Sequence, residues 1–198
     1  MIYAEFIDPD SRVPVELFRH LARQEHWGEG EDIRVINIGR HKGIGPRPAY
    51  LCCWRISGLE RLDAWETIFK SPAGRSDVAE HATAQALAFD CCGLYEELIS
   101  GELPDGNLHY MERFDAGAEA SDEQVIAHFA GRARCNPGAK LAFLLRRVGL
   151  LGPEHCDLAI WTCANFAASA ALVRQRHGPG AFAPWAAGYY RNVGHELM

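Results

Sequence analysis

Residues 45–54 read GPRPAYLCCW and residues 152–161 read GPEHCDLAIW. Gly-Pro opens both stretches and Trp closes both, at offsets of 152 − 45 = 107 and 161 − 54 = 107. Carried to the N-terminus, that offset sets IYAEFID (2–8) against HYMERFD (109–115), so Tyr3, Glu5 and Asp8 meet Tyr110, Glu112 and Asp115. Arg40 likewise meets Arg147. Four separate stretches obeying one offset mark the chain as a duplicated unit of about one hundred residues.

The second stretch also raises a chemical question, because Glu154, His155, Cys156 and Asp157 stand in an unbroken row. Under the offset, His155, Cys156 and Asp157 fall opposite Pro48, Ala49 and Tyr50, which supply no equivalent ligands. Neighbours on a strand also point to opposite faces, so His155 and Asp157 give at best two ligands on one side. No metal is expected, and the row reads as the polar lead-in to a strand.

Composition narrows the classes. At 198 residues and 48% hydrophobic the chain can bury a substantial core, and two halves are expected rather than one large domain. A net charge of −6 with no basic run argues against nucleic acid as a partner. No apolar run reaches membrane-spanning length and the N-terminus lacks a secretory signal, so a cytoplasmic setting is expected. The seven cysteines include the adjacent pairs Cys52–Cys53 and Cys91–Cys92 and no two-residue-spaced ligand pair. They read as reduced, buried small apolar residues.

The periodicities predict one order of elements twice. In the first half, strands over 1–8, 33–40, 49–56 and 89–98 frame a helix over 13–27 and another from Leu59 through Trp65 and Phe69. In the second half, strands over 108–115, 140–147, 157–163 and 184–193 frame a helix opened by a Ser121…Gln124 capping box and one over 166–176. The polar stretch ISGELPDGN (99–107) links residues 1–98 to residues 108–198. Strand–helix–strand–strand–helix–strand, twice over, gives an α+β chain of two ferredoxin-like units. Each unit covers one sheet face with helices and leaves the other for a partner. The two antiparallel sheets are therefore expected to face each other as an α+β barrel, within one chain or against the halves of a second copy in a homodimer.

With that topology the chain resembles the dimeric α+β barrel superfamily, which includes the antibiotic-biosynthesis monooxygenases, the EthD-like proteins and the stress-responsive barrels. The segment AWETIFKSPAGRSDVAEHATAQALAF (64–89), with His81, is similar to the monooxygenase-type helix followed by a small or acidic stretch and a histidine. The second half departs from it: by the final strand the offset falls to 188 − 93 = 95, so twelve residues around the His81 region have no counterpart there. The resemblance implies an apolar, often aromatic or polyketide-like small-molecule ligand held between sheet and helices. It also implies cofactor-independent monooxygenase, cyclase, isomerase or lyase chemistry.

A position recruited for chemistry is expected to be polar in one half only. Ile2, Ala4 and Phe6 share one strand face that reads as helix-facing; their counterparts are His109, Met111 and Arg113. Two polar groups thus replace hydrophobes on the expected pocket face, where burial is costly without a partner or ligand. His128, matched by His20 at an offset of 108 and followed by Phe129, stands beside the apolar stripe of its helix. His109 or His128 is the expected general base, Arg113 the oxyanion partner, and Trp161 with Tyr190 the stacking surface, with Met111 and Phe129 lining the pocket. No cofactor is the leading expectation. The resemblance adds haem as the alternative, with His128 as its ligand; a non-catalytic binding or assembly module is the third reading. Glu5 and Glu112, on the opposite face, are expected where the sheets meet, paired with Arg40 and Arg147.

Overall fold

The computed structural model of the chain describes residues 1–9, 33–45, 50–61, 87–104, 107–149, 151–175 and 182–192. The helix expected over 13–27 with His20, the body of the helix expected from Leu59 with Trp65 and Phe69, and His81 lie outside them. Strands β1 (Ile2–Pro9), β2 (Ile33–His41), β3 (Tyr50–Ile56) and β4 (Leu87–Ile99) come from the first half. Strands β5 (Leu108–Phe114), β6 (Ala139–Arg147), β7 (Asp157–Cys163) and β8 (Ala186–Asn192) come from the second. Helix α1 (Asp122–Cys135) lies between β5 and β6, and α2 (Ala170–Arg174) between β7 and β8. The strands close into an antiparallel barrel in the order β1-β3-β2-β8-β5-β7-β6-β4, with β4 returning to β1. Among the described strands, closure leaves no edge exposed to outside pairing.

The two halves contribute their strands in the same order, β4-β1-β3-β2 and β8-β5-β7-β6, joined through β2–β8 and β4–β6. Their registers repeat as well. Tyr3 pairs with Trp54 on β3, and Tyr110 with Trp161 on β7. Val35 and Leu141 pair with the same two tryptophans, and each is followed by a bulge. Ala4 pairs with Gly93, and Met111 with Gly188. One correspondence shifts: Val35 and Leu141 differ by 141 − 35 = 106, so the position answering Arg40 is 40 + 106 = 146, Arg146 rather than Arg147.

Two apolar layers result. The barrel interior is filled from both halves, by Ile2, Phe6, Leu51, Tyr95, Phe143, Leu158, Ile160 and Tyr190 among others. Between Ile2, Ile36, Cys53, Leu103, Phe143, Leu145 and Ile160 it leaves a narrow gap with no room for a water molecule. The second layer packs the outer face of the second-half sheet, through Phe114, Leu144, Trp161 and Tyr189, against Val125 and Phe129 of α1 and Leu172 of α2. Strands β5 and β7 are buried on both faces, which explains their near-continuous apolar runs.

This arrangement corrects the expected orientation of the first strands. Ile2, Ala4 and Phe6 point into the barrel, and so does Met111. By alternation His109 and Arg113 point there too, and Arg113 lies against Phe6. Tyr110 and Phe114 are the residues that meet the helices.

Local signals account for α1. Ser121 Oγ accepts from the Gln124 N–H at 3.3 Å while the Gln124 side chain accepts from the Ser121 N–H at 2.9 Å, a complete capping box. Asp122 and Glu123 in the first turn and Arg132 and Arg134 in the last suit the helix dipole. The helix expected over 166–176 is shorter. Asn165 accepts from the Ala168 N–H, and Ser169 and Ala170 donate back only three residues, so regular helix begins at Ala170. The expected linker is not uniformly polar: β4 extends to Ile99, and Leu103 is buried in the barrel core, its carbonyl accepting from Asn192 Nδ2 at 3.3 Å.

Candidate functional site

The layer between the second-half sheet and its helices holds a buried polar network. Glu112 on β5 and Arg132 on α1 are 1% and 3% exposed and form a bidentate pair, Nη1 to Oε2 at 2.7 Å and Nη2 to Oε1 at 2.8 Å. Trp161 Nε1 on β7 donates to the same Oε2 at 3.0 Å. Both carboxylate oxygens are thereby satisfied, which such burial requires. Arg132 Nε donates to Gln175 Oε1 at 3.3 Å, Asn136 Nδ2 bridges the Arg132 carbonyl and Gln175, and the guanidinium stacks on Phe129 and Trp161, 5.3 Å from each ring. On the offset of 108 that matches His20 with His128, Arg132 answers Gln24, so this ionic pair belongs to the second half's sequence alone.

The expected pairing of Glu112 with Arg147 is therefore corrected. Glu112 faces α1, and Arg147 instead donates from Nη1 to the Pro153 carbonyl at 2.9 Å. The side chain of Glu5 lies outside the described residues, and Arg40 is exposed.

Two tyrosines extend the network. Tyr110 lies near Glu112, and burial followed by the Glu112 charge pushes its phenol well above the usual range. Tyr189, its partner across β5–β8 with ring centroids 5.0 Å apart, meets the Ser169 hydroxyl in a short hydrogen bond. Burial raises the Tyr189 phenol as well. His128 stands at the margin of this layer, half-buried and edge-on to Phe129 and Phe182 with centroids 5.1 and 5.3 Å away.

The other candidates are across the sheet. His109, 1% exposed, sits opposite Tyr190 and Thr162 in the strand registers. Arg113, 8% exposed, lies over Phe6 and Trp185 at 5.8 and 5.0 Å. Its charge also bears on Cys156 and Tyr190. The expected set thus divides into His109, Met111, Arg113 and Tyr190 inside the barrel and His128, Phe129 and Trp161 between sheet and helices. Trp161 and Tyr190, on opposite faces, cannot stack on one ligand ring. Sequence reading missed Arg132, Tyr110 and Tyr189 as members of a site; a basic residue one helical turn beyond His128 was the available signal.

The row Glu154–Asp157 resolves into separate structural tasks. His155, at φ 54° and exposed, pairs through Nδ1 with Asp115 Oδ2 at 2.5 Å. Cys156 enters the barrel core, and burial raises its thiol to about 11. Asp157 accepts from the backbone N–H groups of Ala116 and Arg147 at 2.9 and 2.8 Å, stapling the chain after β5 to the end of β6. Among the described residues no group of three or more His, Cys, Asp or Glu side chains could hold a metal ion. The rings of Phe114, Phe129 and Phe182 crowd the side of His128, Phe114 lying 4.7 Å from Phe129 and 6.4 Å from Phe182 between centroids.

No protein-family model and no curated protein matches the sequence. Solved structures do. An anthrone oxidase-like protein superposes with a TM-score of 0.66 at 11% identity, over 97% of this chain and 90% of its own. A proposed monooxygenase from Lactobacillus acidophilus NCFM gives 0.54 at 12%, over 97% and 91%. A chlorite dismutase variant from Candidatus Nitrospira defluvii gives 0.53 at 13%, over 99% and 94%. Identities this low establish a shared α+β-barrel fold across nearly the whole chain, and function has to be argued from the site.

Proposed function

We propose that the chain is a cofactor-independent small-molecule enzyme of the α+β-barrel kind, working between the second-half sheet and α1 on an aromatic or polyketide-like substrate. One observation carries this reading: the buried Glu112–Arg132–Trp161 network lies in that layer, beside a histidine set among aromatic rings. Buried ionic groups are costly to keep. The anthrone oxidase-like and monooxygenase neighbours support an oxygenase-type activity, with cyclase, isomerase or lyase chemistry as the other outcomes. His128 is the general base in this scheme, since imidazole exchanges protons near neutral pH. His109 and Arg113 face the barrel interior instead and make up the alternative site.

The repeated strand order and registers support a tandem duplication of two ferredoxin-like units, residues 1–98 and 108–198 about a 99–107 connection. In that case the barrel closes within one chain, and a homodimer would need another surface. No helix among the described residues is long and apolar enough to cross a membrane. The free cysteines support a reducing, cytoplasmic setting.

Native mass spectrometry of the purified protein, followed by a turnover screen with anthrone- and phenol-type aromatics, tests the reading. His128→Gln is expected to lower turnover by on the order of 10² to 10⁴, the usual worth of a general base, while His109→Gln leaves it within about threefold. The opposite ranking moves the site into the barrel. A Soret band on adding haem that His128→Gln abolishes favours the haem alternative.

A further inference from the structure

The barrel closes through two seams between its halves, and their registers answer each other. At β4–β6, Tyr95, Glu96 and Glu97 stand opposite Arg147, Arg146 and Leu145. At β2–β8, His41, Arg40 and Gly39 stand opposite Tyr190, Arg191 and Asn192. Arg40 answers Arg146 at the offset of 106, and Glu96 answers Arg191 at 191 − 96 = 95, the offset that relates Gly93 to Gly188. The matched cross-strand pairs therefore differ in charge: Glu96–Arg146 is complementary, whereas Arg40–Arg191 sets two cations face to face. Residues directly opposite across an antiparallel pair have Cβ atoms about 5 Å apart, and like charges there weaken the pairing. Both arginines are exposed, on the side of the sheet opposite the buried Tyr190. Their outer neighbours in the same row are Tyr50 on β3 and Leu108 on β5. Among the described residues neither guanidinium meets a carboxylate, while Arg146 also holds Asp122 and the Gly117 carbonyl.

We propose that the β2–β8 seam binds a doubly charged oxyanion, phosphate or a phosphate monoester, between Arg40 and Arg191. The anion supplies there the negative charge that Glu96 supplies at the other seam. Guanidinium forks suit this ligand, since each presents planar paired donors to phosphate oxygens. Arg40 belongs to the first half and Arg191 to the second, so the bound anion also ties the halves together and stabilises the closed barrel. The site is separate from the sheet–helix layer and stands whether or not that layer is catalytic.

Thermal melts of the intact protein at neutral pH and low ionic strength test the site, with sodium phosphate titrated against sodium chloride of matched ionic strength. Phosphate is expected to raise the midpoint by about 3–6 °C at ten times its Kd, and chloride by clearly less. Arg191→Glu gives this seam the charge pattern of the other. Its midpoint without phosphate should exceed that of the wild type, and its phosphate response should vanish. Arg40→Gln, which only removes one cation, should lose the response as well. Equal effects of phosphate and chloride on the wild type overturn the site, as does a phosphate response that survives both variants. An Arg191→Glu midpoint no higher than the wild type without phosphate removes the like-charge premise and overturns it too. Phenyl phosphate acting at lower concentration than inorganic phosphate assigns the site to an ester, and otherwise the free ion is its ligand. The wild-type salt comparison decides the proposal even if neither variant folds.

Discussion

Glu112 and Arg132 are the residues whose loss the fold should feel most sharply. Glu112→Gln leaves the Arg132 guanidinium, 3% exposed, without its counter-charge. Breaking such a buried pair costs about 3–5 kcal/mol, to be read from the urea midpoint, and adding Arg132→Met should recover part of it. A second residue-scale effect is alkaline. Burial is the main cause that raises the thiols of Cys156 and Cys163 from 9.0 to about 11 and the phenol of Tyr190 from 10.0 to about 12. Because these folded values lie above the unfolded ones, the unfolded chain loses its protons first as pH rises. Their stabilisation is complete below the unfolded values and is lost between pH 9 and about 11 for the thiols, and between 10 and about 12 for Tyr190. The thermal midpoint should fall across that range, and Cys156→Ala should make the fall shallower. At this scale Glu112 was visible as a repeated acid, but its partner was not: Arg132 is twenty residues away and reaches it only once α1 lies on the sheet.

Among the elements, β4 and β8 carry the same device. Gly93 and Tyr95 on β4 answer Gly188 and Tyr190 on β8, each tyrosine folding its ring back over the glycine two residues before it on the barrel face. A Cβ at position 93 would meet the buried Tyr95 ring at 2.7 Å, whereas one at 188 meets the half-buried His41 at 3.2 Å, a side chain with room to give. Gly93→Ala is therefore expected to destabilise by about 1–3 kcal/mol, and Gly188→Ala by clearly less, in paired thermal melts. Strand positions and the α1 cap were readable because alternation and the Ser121–Gln124 box are local signals. The short α2 was not, since Asn165 and Ser169 draw the preceding residues into turns.

For the molecule as a whole, closure is the governing fact. The interior core takes Ile2, Phe6 and Tyr95 from one half and Phe143, Leu158 and Tyr190 from the other, and strand pairing crosses between halves at two places. Neither half can keep its inner face dry alone. Unfolding should accordingly be a single transition, with circular dichroism and tryptophan fluorescence coinciding in urea. Two separated transitions would mean that the halves hold independent cores.

By itself the sequence determined the spacing of the strands, the correspondence between the halves and the start of α1, because offsets, alternation and capping are written in neighbouring residues. It also singled out His109, Arg113, His128 and Trp161. Only the tertiary structure decided that the first two face the barrel and the last two the helices, that Glu112 pairs with Arg132, and that Leu103 of the connection is core. Alternation states which residues share a face but not what that face meets. Where both faces of a strand are buried, as on β5 and β7, the hydrophobic pattern carries no mark of inside and outside, and only the packing of distant elements supplies it.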